Sequence, residues 1–256
     1  DTAHLVIGLN NFSSFQTDTL RIWTSMPNEV ADLQPENDTL EAIFRLSLSG
    51  PYTIGGSSPD FATIGEAVTT LNTYHTCGPV TFRIRDGVYT EQISIDSIPT
   101  TSSTNTITFE SESLDSSAVT IQYTPFNSTN PAVFLLKGTD HVTFRHLGFK
   151  ALPSGYSDVL ELRYSADHLT VSNCYFEGYH FGSSSVLIKC LNYGGFSDTM
   201  TIENSYFLNG QQAIYLYNGG FSQHEINIHQ NTFVNQRFGG LDVSFIRGLY
   251  ILNNKF

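Results

Sequence analysis

Glu161, Arg163 and Lys189 are the residues of this chain whose types and spacing come closest to a reactive set. A lysine beside a charge-neutralising arginine or a metal could serve as the base of a polysaccharide lyase. If the chain is an enzyme, these three carry the reaction. A second set is aromatic. Tyr193, Phe196, Tyr215, Tyr217 and Phe221 crowd around a loop, GGFS, that occurs at 194–197 and again at 219–222. Planar rings on a flat surface suit the apolar faces of sugars, although the same rings could fold back over neighbouring chain. A third set is acidic: Asp140, Asp167 and Asp198 recur at one place in a repeated pattern and could offer Ca²⁺ its oxygens. His141 and His168 follow two of them and would add nitrogen ligands for a transition metal. Aspartate at a turn also has a simpler use, because its side chain bonds nearby backbone. Lastly, the triplet Asp-Ser/Thr-apolar recurs with Thr2, Thr19, Thr39, Ser97 and Thr199 as its hydroxyl residues.

The elements that must position these residues are written in an eight-residue phrase that occurs five times. It reads VTFRHLGF (142–149), LTVSNCYF (169–176), MTIENSYF (200–207), INIHQNTF (226–233) and LYILNNKF (249–256). Positions one and three are apolar, position five is mostly Asn or Gln, and position eight is Phe. The phenylalanines lie 27, 31, 26 and 23 residues apart. A fixed phrase on a slightly variable period predicts a solenoid in which each repeat is one coil stacked on the last. From Ala132 each coil opens with a strand (AVFLL, VLELR, VLIKC, AIYLY, LDVSF), turns, and runs into the octet. Alternation then places Val133, Leu135, Leu160, Leu162, Ile188, Ile214, Leu216, Leu241 and Val243 inward. It places Phe134, Glu161, Arg163, Lys189, Tyr215, Tyr217, Asp242 and Ser244 outward. Glu161 and Asp242 are three coils apart, about 14 Å at the usual strand spacing, too far to act as a glycosidase pair. Stacked side chains at octet position five should hydrogen-bond along the axis, and the Phe column should be core.

Composition agrees with strands and turns. Charged residues make up only 14% of the chain, well under the usual quarter, and Ser, Thr, Asn, Gly and aromatics replace them. The formal charge of −12, from 12 basic and 24 acidic residues, argues against nucleic acid and against an anionic membrane surface. No apolar run is long enough to span a bilayer, so membrane insertion is not expected. Cys77, Cys174 and Cys190 lack metal-ligand spacing, and the last two read as core fillers. The chain begins at Asp1 rather than Met and is expected to be a piece of something longer, with neighbouring domains as partners.

Residues 1–49 carry no octet. HLVIGLNNF, TLRIW and TLEAIFRLSL are strand-like and are separated by SMPNEVADLQPEND. Gly50-Pro51 marks the boundary to residues 50–256. Helical spacing of Phe61, Ile64, Val68 and Leu71 predicts a helix over about 60–72 with Asp60 as its cap. A solenoid needs such an element over its first coil, which otherwise exposes apolar surface and unpaired backbone. The expected fold is all-β: a right-handed parallel β-helix with an N-terminal capping helix, regular over 132–256 and preceded by a few β-sandwich-like strands.

The PNEVADLQPENDTL stretch resembles the closing strands of an immunoglobulin-like domain. DFATIGEAV followed by VTFRIRDGVYTEQISI resembles the opening of pectin methylesterases within the pectate-lyase-like superfamily. Together with NTITFESES it also resembles repetitive surface proteins of Bacteroidota exported by the type IX route. The hydroxyl triplet resembles their O-glycosylation acceptor. These resemblances imply an extracellular or outer cell-surface location and a structural or adhesive role with polysaccharide as partner. The methylesterase segments GxxDFIFG and LGRPW are not found, nor are the NTD and RIK elements of polygalacturonases. The leading expectation is therefore a non-enzymatic module without a cofactor, with calcium on the aspartate column as the alternative. A polysaccharide lyase or carbohydrate esterase is the rival function, and a filament-forming subunit is a third.

Overall fold

The computed structural model describes residues 17–23, 39–45, 47–181, 184–191, 199–217, 223–244 and 246–256. The chain divides into two compact units, Asp1–Ser47 and Leu48–Phe256. In the first unit β1 (Thr17–Trp23) pairs antiparallel with β2 (Thr39–Arg45), Thr17 opposite Arg45 and Trp23 opposite Thr39. The run HLVIGLNNF lies outside the described residues. TLEAIFRLSL is divided, because Leu48 is fully buried and opens β3 (Leu48–Ile54). That strand passes straight through Gly50-Pro51 and pairs in parallel with Thr76–Ile84. The division between units thus falls just before the Gly-Pro pair.

The capping helix α1 spans Ile64–Tyr74 and buries Ile64, Ala67, Val68 and Leu71. Its N-cap is Thr63 rather than Asp60. Thr63 Oγ1 accepts from Glu66 N, and Glu66 Oε2 accepts in return from Ala62 N. Asp60 is engaged elsewhere, accepting from both the backbone N–H and the hydroxyl of Thr53 at 2.7 Å. Glu91 closes the remaining donors of the first turn, Ile64 N and Gly65 N, as a carboxylate at the positive helix end should.

From Thr76 onward the chain winds through three parallel sheets. Sheet A has eight strands, running from β3 through Thr76–Ile84, Ile107–Ser111, Val142–Arg145, Leu169–Ser172, Thr199–Glu203 and Gln223–His229 to Arg247–Leu252. Sheet B has six and includes Gly148–Ala151, Tyr175–Glu177, Tyr206–Leu208 and Thr232–Val234. Sheet C, also six-stranded, includes Ala132–Lys137, Asp158–Arg163, Val186–Leu191, Gln212–Tyr217 and Gly239–Ser244. Each strand pairs with its equivalent one coil away, so like positions stack along the axis.

The octet spans the corner from sheet A to sheet B. Its first and third residues point inward, as at Val142 and Phe144, Leu169 and Val171, Met200 and Ile202, and Ile226 and Ile228, all buried. Position five makes the corner. His146, Asn173, Asn204, Gln230 and Asn253 adopt left-handed φ values between 49° and 58°. Asn is the non-glycine residue that tolerates this region best, which accounts for its preference here. A corner in this conformation leaves its own side chain outside. The axial polar ladder accordingly forms one residue later, at Ser205, Asn231 and Asn254. Asn231 Oδ1 accepts from Ser205 N, Asn254 Oδ1 accepts from Asn231 N, and the two amides donate to Ile202 O and Ile228 O. Cys174 holds the same position in its coil, buried in the core, its thiol pushed up to about 12 by desolvation. The Phe column stacks at 5.0 Å from Phe149 through Phe176, Phe207 and Phe233 to Phe256. The first four are core as expected, whereas Phe256 is 75% exposed.

One inside-outside assignment is reversed. Phe134 stands opposite Leu160 in sheet C and packs inward against Phe109 and Phe144. Val133 and Leu135, expected inside, therefore occupy outward positions. The strand AVFLL is apolar throughout, so alternation within it carries no parity, and only the register with the next coil decides. Both its faces are buried.

Candidate functional site

Sheet C brings the expected reactive residues onto one face. Register places Ser94, Leu135, Glu161, Lys189, Tyr215 and Asp242 in a single outward column on consecutive strands. Arg163 lies two residues along from Glu161 on the same strand. Arg163 grips Glu161 with both prongs, Nε to Oε1 at 2.9 Å and Nη2 to Oε2 at 3.0 Å. Its Nη1 donates to Thr129 O at 2.9 Å. The Glu161 side chain is 1% exposed and that of Arg163 13%.

Lys189 turns to a different carboxylate. Its Nζ donates to Asp158 Oδ2 at 2.7 Å, in a pair whose side chains are 15% and 0% exposed. Asp158 Oδ1 accepts from Ser184 Oγ at 2.7 Å and Val186 N at 2.9 Å, so the carboxylate also anchors the start of the next coil's strand. Asp158 was not among the expected residues. It stands at a strand start, where alternation assigns no face, and its lysine partner is 31 residues distant. Two carboxylates and two cations thus share the face, each tied into a buried pair. A bidentate guanidinium–carboxylate pair fixes geometry strongly. It also leaves Glu161 no open oxygen aimed at solvent.

The remaining expected residues fall into three groups. Tyr215 and Tyr217 point outward from one strand, opposite Lys189 and Leu191 on one side and Asp242 and Ser244 on the other. Tyr215 is half-buried and Tyr217 is 39% exposed. Tyr193, Phe196 and Phe221, with both GGFS loops, lie outside the described residues. Asp242 accepts from Gln212 Nε2 at 2.8 Å and stands three strands from Glu161, as the spacing implied.

Asp140 and Asp167 stack at one turn, where Asp140 Oδ1 accepts from Asp167 N at 2.8 Å. The carboxylate thus binds backbone of the next coil, which occupies one of the oxygens a cation would take. Asp198 lies outside the described residues, and among these no three His, Cys, Asp or Glu residues converge as a metal site. His141 and His168 stack face to face at 4.2 Å, both in left-handed conformations. Burial, and then the neighbouring His168, hold His141 below its ordinary value. Of the hydroxyl triplets, Thr19 and Ser97 are exposed, Thr39 and Thr199 are half-buried, and Thr2 lies outside the described residues.

Comparison with known proteins agrees with this architecture. The family described as a right handed beta helix region matches residues 105–256. No curated protein matches the chain. Among solved structures, the pectin methylesterase PemA from Erwinia chrysanthemi is similar, with 12% identity and a TM-score of 0.50 over 74% of this chain and 56% of its own. A pectin methylesterase from Aspergillus niger shows 18% identity and a TM-score of 0.48, covering 74% of this chain and 57% of its own. That from carrot shows 15% identity and 0.49, covering 75% and 65%. The chain spans less than two thirds of the length of each of these three proteins, and at such identities the likeness is one of fold alone.

Proposed function

The chain belongs to the right handed beta helix family, and on that premise we propose that it is a non-catalytic module that holds carbohydrate outside the cell or at its surface. The observation that carries this reading is the closed state of sheet C. Glu161 and Asp158, the acids best placed for chemistry, are buried and ion-paired to Arg163 and Lys189. A general acid or base must reach the proton it moves, within hydrogen-bond distance of the substrate. Two strands further on, Tyr215 and Tyr217 offer partly exposed rings beside Asp242 and Ser244. Rings next to polar groups are what a sugar surface requires.

The test is to incubate the chain with a panel of polysaccharides and to follow retention and turnover together. The expected result is retention without turnover, meaning no methanol from methyl-esterified pectin and no unsaturated product from uronic-acid polymers with or without Ca²⁺. Replacing Tyr215 and Tyr217 by Ala should weaken retention. Turnover that disappears in Glu161→Gln, Arg163→Ala or Lys189→Ala would overturn the reading in favour of a lyase or carbohydrate esterase. That second reading has the fold likeness to pectin methylesterases and the shared strand of Asp158 and Glu161 in its support.

A further inference from the structure

Octet position seven, next to the constant Phe, points outward from sheet B. Its occupants on consecutive strands are Gly148, Tyr175, Tyr206 and Thr232. At Gly148 there is no room for a side chain. A Cβ there would lie 2.8 Å from Val119 O and 2.9 Å from Ser116 O. The segment carrying Leu114, Asp115 and Ser116 thus leans over the sheet where the column is bare and forms one wall beside Tyr175. Tyr175 and Tyr206 stand parallel to each other, 5.5 Å apart at 6°. The opposite rim is the corner column of His146, Asn173 and Asn204. Their left-handed backbone leaves Asn173 and Asn204 exposed, and neither side-chain amide has a hydrogen-bond partner among the described residues. These residues enclose a groove of about 310 Å³.

The chemistry of the groove is specific. It presents two phenol rings, two carboxamides, an imidazole and one carboxylate, with neither lysine nor arginine in its lining. Asp115 receives both the N–H and the hydroxyl of Ser117 on Oδ1, which holds its carboxyl below the usual range and leaves Oδ2 for another donor. Carboxamides both donate to and accept from hydroxyl groups, a carboxylate accepts from them, and aromatic surface covers the apolar flank of a sugar ring. A peptide adding a strand would need an open sheet edge, but the strands under the groove are paired on both sides. Repulsion from Asp115 and from the chain's net charge of −12 disfavours uronic-acid polymers.

We propose that this groove is a binding subsite for a short stretch of neutral glycan, gripped by Tyr175, Tyr206, Asn173, Asn204 and Asp115. It rests on the carbohydrate reading given above but not on the Tyr215–Tyr217 strip, which lies on sheet C. The test is calorimetric titration of the whole chain with neutral oligosaccharides (gluco-, xylo- and manno-hexaoses) and with oligogalacturonate.

At least one neutral hexaose should bind, and oligogalacturonate should bind roughly tenfold more weakly or not at all. Tyr206→Ala should weaken the neutral ligand by roughly tenfold. Asp115→Lys, at an exposed position, should shift preference toward oligogalacturonate, and it supplies the answer if Tyr206→Ala fails to fold. Binding lost in Tyr215→Ala/Tyr217→Ala but unchanged in Tyr206→Ala and Asp115→Lys would overturn this proposal and leave the carbohydrate reading standing. Absence of binding to every glycan would overturn both. Preference of the unaltered chain for oligogalacturonate would overturn the neutral-glycan assignment alone.

Discussion

The outer face of sheet C and the groove at the corner of sheets A and B are both polar, yet they are in opposite states. On sheet C the charged groups answer one another: Arg163 encloses Glu161, and Lys189 reaches back to Asp158, all of them largely buried. At the corner, Asn173 and Asn204 turn away from the chain and Asp115 keeps one oxygen open. The face with the more reactive residue types is therefore the less available one. Acids and bases on a strand show what chemistry a sequence could perform. Whether their hydrogen-bonding capacity is already filled by neighbours decides what the folded chain can offer to a ligand.

The largest effect expected on this contrast comes from opening the closed face. Asp158→Ala leaves Lys189 buried opposite an apolar residue and should destabilise the solenoid by about 3–5 kcal/mol, read from urea unfolding. The double variant Asp158→Leu/Lys189→Met should recover most of that loss. A single variant of unchanged stability would show that the face is not held shut by its ion pairs.

A smaller effect separates the inside of the corner from its outside. Asn231→Ala removes an inward amide bonded to Ile202 O and Asn254 and should cost about 1–3 kcal/mol. Asn204→Gly, on the outside, should leave stability nearly unchanged, because glycine accepts the left-handed corner without strain. Equal losses at both positions would erase the distinction between inward ladder and open rim.

The smallest effect is on the remaining face, at the histidine stack. His141 lies below its ordinary value of 6.5 in the fold, so the unfolded chain takes up its proton first as pH falls. Stability should therefore be full above pH 6.5 and decline as pH drops through the folded value. His141→Asn should flatten that slope in urea midpoints collected between pH 8 and pH 5.

The architecture was legible because stacking imposes one constraint five times over. Apolar residues at octet positions one and three, a polar corner and a Phe recur in each coil. The first four coils bury the apolar residues and the Phe, while the corner residue turns outward and passes the axial ladder to its neighbour. Legibility failed where no repetition was available. Phe134 sits in a strand apolar on both faces, so nothing local distinguishes inside from outside. Thr63 and Asp60 are both ordinary helix caps, and only the prior engagement of Asp60 by Thr53 decides between them. Asp158 was invisible because its meaning depends on Lys189 in the next coil. The groove tyrosines were in plain view at octet position seven. The change from Gly to Tyr to Tyr to Thr there signals an outward column, but the constant residues around it dominate the pattern.

The register between coils has a further consequence for ancestry. Strand by strand, Val142, Leu169, Met200 and Ile226 meet their counterparts at the same octet position, and the corner and Phe columns do likewise. Gain or loss of one whole coil through gene duplication or deletion would therefore join equivalent positions and preserve every column. A change of a few residues inside a strand would shift three sheets at once. Such a chain can vary its length in quantised steps, while side chains on its outer columns diversify independently in each copy.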